Sequence, residues 1–167
     1  MNMKSGNFLL LVSVLLFLFP CLVFSANKAD AVVVDKSDAK LYLMKQGIIY
    51  ASFPVTFGRE PKGHKQQQGD ERTPEGHYTL EYKNSNSAYY KSIHISYPNA
   101  QDRENARKLG VNPGGDIMIH GQANGWEWAS TIVQFFNWTN GCIALENRDM
   151  DRVWEAVDPG TPIEIKP

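Results

Sequence analysis

From Ala31 onward, apolar and polar positions first keep a strand rhythm. Ala31 to Asp35 is a β-branched run, and Lys40 to Met44 alternates with Leu41 and Leu43 on one face, the two-residue period of a half-buried strand. Lys45, Gln46 and Gly47 interrupt the pattern as a turn, and Ile48 to Phe57 returns apolar and aromatic, so the pair predicts a hairpin. From Gly58 to Gly76 the composition changes, with Pro61, Gly63, Gly69 and Pro74 too closely spaced for a regular element. That stretch predicts a long loop, of the kind that carries function or moves. Strand character resumes at His77 to Tyr82 and at Ser92 to Tyr97, where Ile93 and Ile95 alternate with His94 and Ser96. Asn84 to Ser87 between them reads as turn material.

Helical spacing appears twice. Asn99 to Leu109 predicts a short, mostly polar helix with Asn99 as N-cap and Gly110 as stop. Met150, Val153, Trp154 and Val157 recur at helical spacing behind Asn147 and Asp149, residue types suited to capping. Between the two helices, Asp116 to His120 predicts a short buried strand that ends at a histidine, and Asp158, Pro159 and Gly160 turn the chain into a last strand, Thr161 to Ile165. Strands dominate and no strand–helix alternation appears, so the fold class is mainly β. With 167 residues and 43% hydrophobic content, the chain suffices for one domain with its own core.

The first residues differ in kind. Lys4 precedes an apolar run from Phe8 to Phe19, and small residues follow at Ser25 and Ala26, the order of a secretory signal peptide over residues 1–25. Pro20 and the shortness of the run argue against a retained span, and Pro20 before Cys21 suits a lipidation site poorly. The expected localisation is therefore export, to the periplasm or cell envelope, with no stable membrane span after cleavage. Losing Lys4 moves the formal net charge from −1 to −2, which does not suggest a nucleic-acid binder. Of the two cysteines, Cys21 lies in the segment to be removed, leaving Cys142. A lone thiol in an oxidising compartment invites a functional explanation, against the alternative of an inert buried thiol.

Cys142 stands in NWTNGCIAL and His120 in IMIHG. A thiol of pKa about 8.5 is largely protonated at neutral pH, and an adjacent imidazolium can lower it; Cys and His together make a minimal nucleophile. Gly141 permits close approach to the thiol and Gly121 a sharp exit after the histidine. His64, His77, His94 and His120, with Asp70 and Asp116 among them, match no familiar metal-ligand spacing.

These residues resemble the L,D-transpeptidase catalytic domain, or YkuD, family. Its motif of a histidine, a spacer, Ser or Thr, any residue, Gly and Cys is met by His120, two residues and a 16-residue spacer, then Thr139, Asn140, Gly141 and Cys142. A second family feature, TPxG before a strand, is Thr73, Pro74, Glu75 and Gly76. The likeness runs from Val32 to Ile165, within an expected catalytic domain over residues 31–166.

The resemblance implies a β-sandwich-like domain of mixed sheets with one or two short helices, acting on peptidoglycan stem peptides without metal or other cofactor. In the implied reaction the Cys142 thiolate attacks the carbonyl between diaminopimelate and D-alanine, and an amine takes over the acyl group. His120 would serve as acid and base, the Gly121 carbonyl would orient it, and the amides of Gly141 and Cys142 would face the oxyanion. Arg72, Thr139 and Asn140 are candidates for gripping substrate, Arg72 through a carboxylate. Trp138 could wall the cleft, although core packing is the commoner role of such a residue. Many members carry Arg or Asn where this chain has Ala144, and several carry His where it has Asn140. That leaves room for hydrolysis, as an L,D-carboxypeptidase or an amidase releasing wall-linked lipoprotein, or for a wall-binding module of weak activity. Oligomeric state stays open.

Overall fold

In the computed structural model, eight strands and three helices follow in chain order among the described residues: β1 (Ala31–Asp35), β2 (Lys40–Lys45), β3 (Ile48–Pro54), β4 (Gly76–Ser87), β5 (Tyr90–Ile95), α1 (Ala100–Leu109), β6 (Met118–His120), α2 (Ser130–Val133), β7 (Ile143–Ala144), α3 (Asn147–Ala156) and β8 (Pro162–Lys166). Residues 28–167 other than 127 and 129 are described; the expected signal peptide lies outside them. The strands form one mixed sheet in the order β3-β2-β1-β8-β4-β5-β6-β7, with β1/β8 and β6/β7 parallel and the other pairs antiparallel. This is the mainly β architecture that the alternating pattern predicts.

The expected hairpin closes where turn chemistry demands it. Gln46 and Gly47 both have positive φ, 52° and 75°, the conformation that matches a two-residue turn to strand twist. β4 is long enough to serve both halves of the sheet: Gly76 to Thr79 pair with β8, while Leu80 to Ser87 pair with β5. One continuous core contains Val32, Leu41 and Phe53 from one half and Ile93, Ile119 and Ile143 from the other. The two halves thus cover a shared interior, giving the sandwich-like body expected.

Two expectations need correction. Asn84 to Ser87 are not a turn but the end of β4, which continues by bulging, with Asn84 opposite Ser92 and Ser87 opposite Tyr90. Polar residues can remain in a strand that faces water, so turn-prone composition is overridden by pairing. In α3, neither Asn147 nor Asp149 is the cap; the N-cap is Glu146, without a side-chain cap bond. The Asn147 side chain instead accepts the Gln122 N–H at 2.9 Å, just beyond the histidine strand. The α1 expectation holds in detail, with a reciprocal capping box between Asn99 and Asp102 and Gly110 at φ 69° as C-cap.

Candidate active site

β6 and β7 bring His120 and Cys142 together. Their register sets Ile119 opposite Ile143 and His120 opposite Ala144, so Cys142, one residue before β7, falls opposite Met118. Side chains two apart along a strand share a face, which makes His120 and Cys142 diagonal neighbours. Both line a cleft of about 490 Å³ together with Tyr89, Trp138, Thr139 and Asn140. The Cys142 Sγ accepts the Met118 N–H at 3.4 Å and donates to the Asp116 carbonyl at 3.6 Å.

His120 is 3% exposed, and its Nδ1 donates to the Gly121 carbonyl at 2.6 Å. That bond fixes the tautomer and leaves Nε2 as the basic nitrogen. Gly121 must be glycine to hold the carbonyl there: a Cβ would lie 2.6 Å from Asn147 Oδ1 and 2.9 Å from the Tyr90 Cβ. Tyr89 packs on the imidazole at a centroid separation of 4.6 Å, and Trp138 meets it edge-on at 5.6 Å. Trp138 therefore does wall the cleft. Tyr89 escaped the sequence reading because a tyrosine at a hairpin tip carries no signal that it will reach a histidine two strands along.

Burial controls the charge of both groups. Desolvation lowers the His120 pKa to about 4, against a smaller opposing effect of the Gly121 carbonyl. Desolvation also raises the Cys142 pKa, assisted by the charge of Asp116 and opposed by the Met118 amide. The resting pair is consequently thiol and neutral imidazole, whereas the sequence suggested a thiol acidified by an imidazolium; enclosure outweighs the mutual attraction of the charges.

The turn before Cys142 is braced from within. Thr139 Oγ1 donates to the Cys142 carbonyl at 2.7 Å and accepts the Gly141 N–H at 3.1 Å. The Gly141 amide is thus engaged by Thr139 within the turn. Asn140 Oδ1 accepts from Arg59 Nη1 at 2.7 Å. Arg72 does not line the cleft: its side chain borders a separate depression with Glu60 and Asp70, and its carbonyl packs 2.5 Å from where a Gly141 Cβ would be. The arginine that lines the cleft is Arg59. Its proximity could not be read from the sequence because it lies at the far end of the long loop.

The long loop is ordered by its own polar network. Asp70 accepts from buried Lys65 at 2.8 Å and from the amides of Gln66, Gln67 and Arg72. Ala144 is wholly buried, and its carbonyl accepts from Gln134 Nε2 at 3.0 Å. Among the described residues no group of three or more His, Cys, Asp or Glu is placed to hold a metal ion, and no helix is long and apolar enough to cross a membrane.

The sequence profile of the L,D-transpeptidase catalytic domain family, YkuD, matches residues 29–165. This chain belongs to that family. YafK of Escherichia coli (strain K12), classed with the L,D-transpeptidases, is 33% identical over 97 residues, which cover 57% of this chain and 32% of YafK. Among solved structures, the helical cell shape determining protein Pgp2 from Campylobacter jejuni superposes with a TM-score of 0.61 at 26% identity, over 81% of this chain and 46% of that one. An L,D-transpeptidase from Mycobacterium tuberculosis shares the fold with a TM-score of 0.54 at 18% identity, over 82% and 57% of the two chains. The chain spans about a third of the length of the curated relative and about half of Pgp2.

Proposed function

We propose that this chain is an exported peptidoglycan L,D-transpeptidase in which Cys142 forms an acyl-enzyme with a stem tetrapeptide and passes it to an amine. The observation that carries this reading is the pairing of His120 and Cys142 on one face of β6 and β7, in one cleft, with His120 Nδ1 tied to the Gly121 carbonyl. Family membership supports the reaction class. The wall substrate supports export, and residues 1–25 read as the signal for it.

Acylation starts from the neutral pair. As Sγ attacks the carbonyl carbon between diaminopimelate and D-alanine, the thiol proton passes to His120 Nε2 and the carbonyl oxygen becomes an oxyanion. The Cys142 N–H donates to it; such a donor is worth about 3 kcal/mol. Collapse breaks the C–N bond, and His120 returns its proton to the departing D-alanine amine, leaving a thioester. The incoming amine attacks that thioester and gives its proton to His120; the C–S bond then breaks, and His120 returns the proton to Sγ, restoring the thiol. Acid–base work of this kind contributes roughly 100- to 10,000-fold.

Hydrolysis is the second reading, for which buried Ala144 leaves room where many family members carry Arg or Asn. The name of Pgp2 ties that protein to helical cell shape, and we extend a role in wall remodelling to this chain.

Mass spectrometry of the chain without residues 1–25, incubated with a disaccharide tetrapeptide, separates the readings. Release of D-alanine with a cross-linked or amine-exchanged product is expected, and Cys142→Ala should abolish turnover while remaining folded. Tripeptide alone would replace transfer with hydrolysis. Undiminished turnover by Cys142→Ala would end both.

A further inference from the structure

Two opposite charges line the cleft beside the thiol, and acyl transfer as described uses neither. Arg59 is held from behind: Nη1 donates to Glu71 Oε1 at 2.9 Å and to Asn140 Oδ1 at 2.7 Å. Its own amide donates to the Thr139 carbonyl at 3.1 Å, which ties its backbone to the nucleophile turn. Among the described residues, Nε and Nη2 have no partner. That edge of the guanidinium is the planar fork that takes a carboxylate through two parallel bonds, and Arg59 is among the residues that line the cleft.

Asp116 supplies the other charge. Its carbonyl accepts the thiol, its carboxylate is close enough to raise the Cys142 pKa, and it lines both this cleft and an adjoining polar one of about 580 Å³. An anion beside the sulfur does not help to form a thiolate, so nucleophile activation leaves it unexplained. It is suited to an ammonium group.

A cleft with one unengaged fork and one carboxylate complements a free amino-acid end, carrying both ammonium and carboxylate. We propose that Arg59 and Asp116 select the substrate by reading the free end of its diamino acid, Arg59 its carboxylate and Asp116 its ammonium. The inference rests on the acyl-transfer reading for its substrate class. Diaminopimelate presents both groups at the end remote from the D-alanine bond. Lysine in the same position presents only the ammonium, and an amidated diaminopimelate loses the anionic charge. Arg59 then separates diaminopimelate stems from both.

The test measures calorimetric binding of three tetrapeptide stems, bearing diaminopimelate, its amidated form or lysine, to the Cys142→Ala protein. The diaminopimelate stem should bind about tenfold or more tightly than the others, as a charge-assisted bidentate pair would provide. Adding Arg59→Gln should erase that preference, and Arg59→Lys should restore part of it. Asp116→Asn, which tolerates the positive φ of 55° at this position, should erase the preference for a free over an acetylated ammonium. Equal binding of the three stems, or a preference that survives Arg59→Gln, would overturn the proposal. Selective binding lost on Arg59→Gln, but with no turnover of any stem by the wild-type protein, would leave this inference standing and remove the acyl-transfer reading instead.

Discussion

Cys142 and His120 share one cleft, and enclosure decides the charge of each. Since desolvation lowers the His120 pKa to about 4 and raises that of Cys142, the state carrying one transferable proton spans neutral pH. In the proposed reaction, below the lower limit the imidazole is protonated and cannot accept from the thiol; above the upper limit the pair has lost the proton that the leaving amine needs. We therefore expect kcat/KM to be flat through neutrality, with an acid limb near pH 4 and an alkaline limb above the ordinary thiol range, both belonging to the pair. Stopped-rate assays across pH would check this, and an acid limb near 6.5 would show that the imidazole is not desolvated in solution. Tyr89 and Trp138 supply part of that enclosure.

Where elements meet, the turn before Cys142 is held by backbone packing. A Cβ on Gly58 would fall 1.9 Å from the Glu71 carbonyl, and one on Gly141 2.5 Å from the Arg72 carbonyl. The long loop thus crosses directly over the residues before Cys142, and Gly141 also takes φ 123°, a conformation closed to most side chains. Gly141→Ala should cost about 2 kcal/mol or more of stability and displace the thiol. Thr139→Val removes a hydroxyl that bonds both Gly141 and Cys142, leaving their groups unpaired at a cost of about 1–3 kcal/mol. Urea unfolding with parallel kcat measurement checks both; a Thr139→Val protein as stable and active as wild type would remove the brace from the account.

Across the whole molecule, the same buried histidine couples the site to acid stability. His120 has a folded pKa of about 4 against 6.5 when unexposed effects are absent, so the unfolded chain binds the extra proton first as pH falls. Stability contributed by neutral His120 is complete above about 6.5 and is lost down to about pH 4, by about 3 kcal/mol in all. Asp70 and Asp102, whose pKa values are lowered by hydrogen bonds and neighbouring cations despite burial, act in a lower window: their contribution is present above 3.8 and is lost as pH falls through their folded values. Urea midpoints of wild type and His120→Gln at pH 7 and 4.5 should differ in slope, the variant being less sensitive; equal slopes would show that His120 does not carry the first stage.

Most strands and both longer helices follow from local pattern, as does the motif that contains His120 and Cys142. Two-residue alternation, capping chemistry and the spacing from His120 to Cys142 are properties of neighbours in the chain, and they are legible without a structure. The bulged extension of β4 was hidden because strand pairing overrode turn-prone residues. The roles of Tyr89, Arg59 and Asn147 were hidden because each arrives at the site from another element. Charge followed the same division: residue types announced a thiol and an imidazole, but only their enclosure between β6, β7 and the aromatic wall determines that both rest neutral, because desolvation depends on every group that packs around them.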